Sequence, residues 1–393
     1  MREIPVRDPP AGEWPAGELE SPGGCPVCGG SMRERLHDDA RDRIFFCAPG
    51  RWTLWRCAEC RSAYLDPRPA ASAIGRAYRG YYTHGGDMPD RPPTSVRNWL
   101  QAAVLNDYLR FRLGFRRSPR LPLGRFLLYG LGPTYARLAA RWVRHLPFFG
   151  PDALSLDLGC GNGDFLEVAR ACGRRVEGLE LDPDAAGVAR RRGCVVHVGG
   201  LPATGLPTAT YDAISLNHVI EHVHDPVSAL REVRRILKPG GWVWIATPNI
   251  DALGYRRFGV HWFGLDPPRH LVLFNGPSLA QALARAGFGR VVTMPAQLRA
   301  FKVFRTSERV SRGWDPHEPG ARMSWRIRLS VIWAALRTGF NPELTEELIV
   351  MAQRAAGTLE AEGHEESRTQ PGEELDRVSC ARTEPAEDET ERD

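Results

Sequence analysis

Lysine is almost absent from this 393-residue chain: only Lys238 and Lys302 occur, and arginine supplies nearly all the positive charge. The opening stretch, MREIPVRDPPAGEW, lacks the apolar run of a secretory leader, so no export signal is expected. No uncharged run reaches the roughly 18–20 residues that span a bilayer. Nine cysteines make an odd number and include clear C-x-x-C pairs. That usage points away from a disulfide framework and toward metal-binding thiols in a reducing cytoplasm. The phosphate-cradling pattern G-x-x-x-x-G-K-[ST] is missing. What remains is the composition of an ordinary soluble protein, 42% hydrophobic and 25% charged, with a formal net charge of +5.

One stretch organises the rest. Leu154–Leu158 is a short apolar run suited to a buried parallel strand. Gly159, Gly161 and Gly163 follow, then a helix-compatible segment over Asp164–Ala171 and a second strand, Arg175–Leu179, closed by Glu180. Strand, glycine loop, helix, strand and acid form a nucleotide-binding unit. The glycines let backbone N–H groups approach a ligand, and the acid lies where ribose hydroxyls are held. The dinucleotide fingerprint needs glycine at position 164, which is Asp164. Acids at both ends, Asp157 and Glu180, repel phosphates but suit a ligand bearing a sulfonium, an ammonium and a ribose diol. The run resembles motif I of the class I S-adenosylmethionine-dependent methyltransferases. That resemblance implies a cofactor site at Asp157, Gly159, Cys160, Gly161, Gly163, Glu180, Leu181 and, after the fourth strand, Asn217.

Further strands are expected over Cys194–Val198, Tyr211–Leu216, Trp242–Thr247, Arg290–Pro295 and Glu347–Gln353, with helices between them. Alternation of this kind predicts an α/β fold, a Rossmann-like doubly wound and mostly parallel sheet. The segment from Tyr211 to Pro226 resembles motif IV of ubiquinone-type O-methyltransferases and their small-molecule relatives, and Leu237–Pro248 resembles the motif that follows. The family implies seven strands, one of them antiparallel and near the edge. No acid stands in Gly199-Gly200-Leu201-Pro202, where the family usually places one near the adenine.

Ligands in such sheets bind beyond the carboxyl ends of the strands, which puts Asn217–His222 beside the reacting methyl. Methyl transfer needs alignment and removal of the acceptor's proton. His218, Glu221 and His222 are the candidate bases, with His222 favoured and Glu221 orienting or charging it; the alternative is that His222 only caps the turn. Beyond the fifth strand, Asn249–Phe274 is long, polar and aromatic, as an acceptor pocket would be. Tyr255, Arg269 and His270 are candidate substrate residues there. Arg256, Arg257 and Arg269 could pair an anionic group such as a diphosphate. The Asn-Pro-Pro-Tyr motif of nucleic-acid amino-methylases is absent, which argues against a nucleic-acid acceptor. A sugar nucleotide or lipid-linked intermediate fits better, with a zinc-ribbon RNA methyltransferase or a non-catalytic cofactor-binding protein as alternatives.

Upstream, Cys25-x-x-Cys28 and Cys57-x-x-Cys60 can complete a four-thiolate shell for structural Zn²⁺, with a long hairpin between them over Arg33–Arg56. Similar ribbons precede motif I in small-molecule methyltransferases, and by that likeness Tyr78, Tyr81 and Tyr82 face the acceptor; the alternative is that they pack this module onto the main domain. The expected organisation is a flexible 1–24, a zinc-ribbon-like module over 25–66, and a basic helical linker over 67–150. A methyltransferase domain over 151–356 follows, with an insertion at 306–342, and then a disordered acidic tail over 357–393. Amphipathic helices with arginine-rich faces are expected over Thr134–Leu146 and around Trp325–Leu336. The first is expected foremost as a cap helix packed on the sheet domain with a solvated arginine face. The alternatives are peripheral contact with the inner face of the membrane for this cytoplasmic chain, which the second helix also raises, and nucleic acid binding.

Overall fold

The computed structural model describes residues 10–79, 96–113, 118–123, 126, 144–145, 152–294, 300–317 and 323–356. Tyr81, Tyr82, nearly all of the helix expected over 134–146 and the acidic tail lie outside the described residues. The described chain falls into two compact units. The second holds residues 90–153 and 168–175. Its long helix is α1, Val96–Leu113, on which Asp107 pairs with Arg120 at 3.5 Å.

The first unit opens with five strands: β1 (Leu19–Glu20), β2 (Arg33–Ala40), β3 (Trp52–Cys57), β4 (Ala63–Leu65) and β5 (Arg68–Pro69). The long hairpin expected between the cysteine pairs is β2–β3, antiparallel from Arg33↔Cys57 to Ala40↔Trp52. Residues 10–24 depart from the loose segment expected there. Leu19 and Glu20 pair with Pro69 and Arg68, and Trp14 is buried edge-on against Trp52. An apolar tryptophan near a short strand gives this segment something to bury, which its Pro/Gly/Glu content concealed.

After β5 the doubly wound sheet begins. It comprises β6 (Leu154–Leu158), α2 (Asp164–Ala171), β7 (Arg175–Glu180), α3 (Pro183–Arg191), β8 (Val195–Val198), β9 (Tyr211–Asn217), α4 (Pro226–Ile236) and β10 (Leu237–Pro248). Then follow α5 (Leu253–Phe258), β11 (Val272–Leu273), α6 (Gly276–Arg285), β12 (Val291–Thr293), α7 (Ala300–Ser311), α8 (Trp325–Phe340) and β13 (Glu347–Gln353). The seven-stranded order is β12-β13-β10-β9-β6-β7-β8, and β13 runs antiparallel to both its neighbours. This is the mostly parallel sheet, with one reversed strand next to the edge, that the sequence led us to expect.

Local chemistry explains the boundaries. Asp182 caps α3 by accepting from the Asp184 N–H at 2.8 Å, with Pro183 at the first helical position. Asp225 and Pro226 repeat the device on α4, whose buried stripe includes Val227, Leu230 and Val233. The central strands β6, β9 and β10 are largely buried along both faces, as strands in the middle of a parallel sheet are. Their register aligns Leu158 with Leu216 and Leu216 with Ile245. Gly159, Asn217 and Ala246 therefore stand at one level, where β6 and β9 end, and that edge is where the candidate side chains gather.

A second sheet has the order β11-β4-β3-β2. β11 comes from the segment after β10, yet it pairs with β4 through Val272↔Tyr64 and Leu273↔Ala63. The cysteine module thus shares backbone hydrogen bonds with the segment expected to line the acceptor pocket.

Candidate active site

The glycine loop folds back on β7: the Gly159 N–H donates to the Leu179 carbonyl at 2.8 Å. Gly159 sits at φ +68°, and a Cβ there would meet Val219 at 2.7 Å, so the residue must be glycine on both counts. Gly161 also has positive φ and faces open space. Glu180 Oε2 accepts from the Gly161 N–H at 2.7 Å, and Oε1 from the Asp182 N–H at 3.1 Å. Both oxygens are oriented by the backbone, and each keeps a lone pair for a further donor such as a ribose hydroxyl. Beside it Leu181 is 73% exposed, an apolar surface next to an acid that a flat aromatic base would cover. Asp157 is fully buried and accepts from Ser215 Oγ at 2.8 Å. The Cys160 thiol is buried and its pKa raised, first by that burial and then by Asp157 and Glu180, which makes it an inert wall.

The turn after β9 differs in its pairings from those expected. His218 adopts φ +55°, and its imidazole lies between two carboxylates, Glu221 Oε1 at 3.1 Å and Glu347 Oε1 at 2.7 Å. Burial pulls His218 toward neutrality, but the two carboxylates outweigh it and raise its pKa to about 9. His218 is thus a cation at neutral pH and cannot accept a proton, which removes it as a base. Glu221 is wholly buried; its second oxygen accepts from Thr247 Oγ1 at 3.0 Å. Burial raises its pKa, but His218 above all, then His222 and His270, bring it down to about 2. Glu221 therefore does not orient His222 through a hydrogen bond, and as a base it is spent on His218.

His222 is oriented by other groups. Its Nδ1 lies 3.0 Å from the Arg269 carbonyl and 3.0 Å from the Tyr78 hydroxyl. A carbonyl only accepts, so Nδ1 carries the proton and Nε2 keeps the lone pair. Burial, reinforced by His270, lowers the pKa of His222 to about 4, while Glu221 and Asp266 pull it back up. The ring is neutral above about pH 5 and has an acceptor nitrogen. His270 stacks edge-on to it with ring centroids 4.7 Å apart, its own Nδ1 donating to the Gly264 carbonyl at 2.8 Å. Ligating atoms of Glu221, His222 and His270 lie within 4.8 Å of one another, although both Glu221 oxygens are already engaged.

The Arg269 expectation needs correction. Its side chain is fully buried rather than turned to a ligand. It pairs with Asp42 Oδ1 at 2.8 Å and Asp266 Oδ1 at 2.5 Å, and donates to the Ala77 carbonyl at 3.0 Å. With two carboxylates on one guanidinium, no charge is left for a diphosphate. Arg256 and Arg257 on α5 are exposed instead. Tyr255 is half-buried, with its hydroxyl 3.1 Å from His37 Nε2 and its ring against Trp262. Thr247 and Glu347 were absent from the site chosen by sequence, whereas Tyr78 stood in the tyrosine cluster expected to face the acceptor and Asp266 in the expected pocket segment Asn249–Phe274.

In the cysteine module, Cys25 and Cys60 Sγ lie 3.5 Å apart and Cys28 and Cys57 Sγ 3.4 Å apart. All four sulfurs lie within 4.8 Å of one another. A tetrahedron with Zn–S of about 2.3 Å has edges of about 3.8 Å, so the cluster fits such an ion. The geometry is that of a zinc-ribbon-like module.

The charge state of His218 sets a pH dependence. An unfolded histidine titrates near 6.5. A folded pKa raised to about 9 contributes stability that is complete below about pH 6.5 and is lost as pH rises through 9. Thermal melting of the protein and of His218→Gln should differ most near pH 6, and the gap should close toward pH 10. A constant gap across that window would show that His218 is not held as a cation.

Comparison with known proteins agrees with this geometry. A family described as "Methyltransferase domain" matches residues 134–292. The chain is 34% identical over 107 residues to a ubiquinone biosynthesis O-methyltransferase from Paraburkholderia xenovorans, covering 25% of this chain and 46% of that protein. It is 33% identical over 126 residues to a malonyl-[acyl-carrier protein] O-methyltransferase from Serratia marcescens, covering 32% and 49%. The chain thus spans about half the length of the curated relatives it matches. Among solved structures it is similar to an S-adenosylmethionine-dependent methyltransferase from Archaeoglobus fulgidus, with 20% identity and a TM-score of 0.38 over 58% of this chain and 99% of that one. The glycine loop and the order of the sheet agree with the family match, which describes residues 134–292 as a methyltransferase domain.

Proposed function

We propose that the protein transfers a methyl group from S-adenosylmethionine to a small-molecule acceptor, with His222 taking the acceptor's proton. The observation that carries this reading is the neutral imidazole of His222, pinned at Nδ1 and open at Nε2, one turn beyond the strand that ends at Asn217. When bound, S-adenosylmethionine supplies an electrophilic methyl on a sulfonium. The residues that fit it are the glycine loop Gly159–Gly163, Glu180 for the ribose, Leu181 against the base, and Asp157 and Asn217 near the amino-acid end. At His222 the charges of Glu221 and Asp266 favour the imidazolium that forms on proton uptake and already offset part of the burial that lowers its resting pKa. Among acceptors we favour a sugar nucleotide or a lipid-linked intermediate, since Arg256 and Arg257 remain exposed on α5 just beyond β10. Both curated relatives carry O-methyltransferase in their names, which supports a hydroxyl as the acceptor group.

The test is transfer of labelled methyl from the cofactor into cell extract separated into nucleotide sugars, lipids, protein and RNA. Label in the nucleotide-sugar or lipid fraction is expected. Label in RNA would move the protein to the nucleic-acid methyltransferases. Cofactor binding without any transfer would mean that catalysis has been lost.

We also propose that Cys25, Cys28, Cys57 and Cys60 hold a structural zinc ion, since a closed four-thiolate set leaves no position for water or substrate. About one zinc per chain is expected by elemental analysis, falling to near zero in Cys57→Ser. Because metal binding by such sites is coupled to folding, the variant should also melt well below the parent. A metal-free parent with unchanged melting would overturn the assignment.

A further inference from the structure

The helix α8 (Trp325–Phe340) has two apolar faces, and only one of them is covered. Ile327 and Ala334 are buried with Phe304 of α7 and Leu253 of α5. On the opposite side Trp325, Leu329, Ile332, Trp333, Leu336 and Phe340 are all exposed, Phe340 to 90%. At 3.6 residues per turn these six positions form one continuous stripe along the helix. Stripes of this size are costly in water and mark an interaction surface.

The charges say what the surface meets. Trp325–Phe340 contains no acid. Arg326, Arg328 and Arg337 are exposed. By helical geometry Arg326 and Arg337 fall along one border of the apolar stripe and Arg328 along the other. Two of them lie over tryptophan rings, Arg326 over Trp325 at 5.5 Å and Arg337 over Trp333 at 5.1 Å. Apolar residues below, arginines at both borders and tryptophans between them are the make-up of a helix lying in a bilayer interface. A groove of about 390 Å³ adjoins it, lined by Leu253, Arg257, Phe304, Leu329, Ser330 and Trp333. Its lining is largely apolar with a guanidinium on the wall, which suits an acyl chain below an anionic headgroup. No described helix is long and apolar enough to cross a membrane, so the contact is with a surface.

We propose that the exposed stripe of α8, with its bordering arginines, docks the protein onto an anionic phospholipid surface. Topology sets this face near the substrate end of the sheet. α5, which walls the groove, begins five residues after β10 ends, and α8 ends just ahead of Glu347, the partner of Pro248 at the β10 terminus. The proposal does not depend on the methyltransferase reading, and its test reads binding alone.

The full chain would be sedimented at low salt with vesicles of phosphatidylcholine, and with vesicles of equal parts phosphatidylcholine and phosphatidylglycerol. Binding only to the anionic vesicles, lost at high salt, is expected. Each arginine near an anionic surface contributes about fivefold, so replacing Arg326, Arg328 and Arg337 together by glutamine should weaken binding roughly 100-fold. Trp325→Ser with Phe340→Ser should weaken it about as much without lowering the melting temperature, since both side chains are exposed. Three results would overturn the proposal. The first is no binding to anionic vesicles at low salt. The second is equal binding by parent and variants, or binding indifferent to salt. The third is a dimer in light scattering that the serine variants dissolve while vesicle binding is absent, which would make the stripe an interface between two copies.

Discussion

His222→Ala should lower turnover by about 10²–10⁴ while leaving the affinity for S-adenosylmethionine nearly unchanged. The size follows from what a positioned general base contributes. The selectivity follows from geometry: the glycine loop and Glu180, proposed above to hold the cofactor, are tied to each other, and His222 is tied instead to Arg269 and Tyr78. Because burial holds the ring near pKa 4, the acid limb of kcat/KM for the parent enzyme should fall near pH 4 and not near the ordinary 6.5. Tyr78→Phe removes one of the two groups at Nδ1 and should give a smaller loss. Turnover of His222→Ala equal to that of the parent would reduce the residue to a cap of the turn. Steady-state kinetics together with calorimetric titration of the cofactor separates the two outcomes.

Arg269→Met is expected to cost about 3–5 kcal/mol of folding stability, the usual penalty for leaving a buried charge without its partner. Here two carboxylates are stranded, Asp42 and Asp266, in a site that water does not reach. Asp42 also gathers the N–H groups of Ile44, Phe45, Cys47 and Ala48, so the loop between β2 and β3 loses its anchor as well. The substitution should therefore be felt at His222, whose Nδ1 rests on the Arg269 carbonyl. Against a typical total of about 5–15 kcal/mol the loss is large. Denaturant unfolding would measure it directly, and Arg269→Lys, which keeps one charge but not the planar fork, should fall between the two. A loss under about 1 kcal/mol would mean that the three charges are solvated in a way the burial does not show.

How much was legible in the chain depends on how far apart the partners stand. The glycine loop, Glu180, the helix start at Asp182-Pro183 and the strand Glu347–Gln353 were all readable. Each is decided by neighbours within a few residues: a positive φ, a first-turn proline, an unbroken apolar run. The two C-x-x-C pairs were readable because thiolate spacing is itself local. The assignments within the His/Glu turn were not. Glu221 was expected to orient or charge His222, its neighbour in the chain, whereas it pairs with His218 and leaves His222 to Arg269 and Tyr78.

The sequence by itself determined the glycine loop, the fold class and the four-cysteine module, because the loop's glycines and each C-x-x-C pair are set by spacings of a few residues. Only the tertiary structure decided which acid meets which base. Asp42 reaches Arg269 across 227 residues and Glu347 reaches His218 across 129. No spacing rule links such positions. Burial then turns those encounters into chemistry, since the two carboxylates on His218 outweigh burial and hold it as a cation, while His222, a turn away and hydrogen-bonded to neutral groups, stays neutral and able to take a proton.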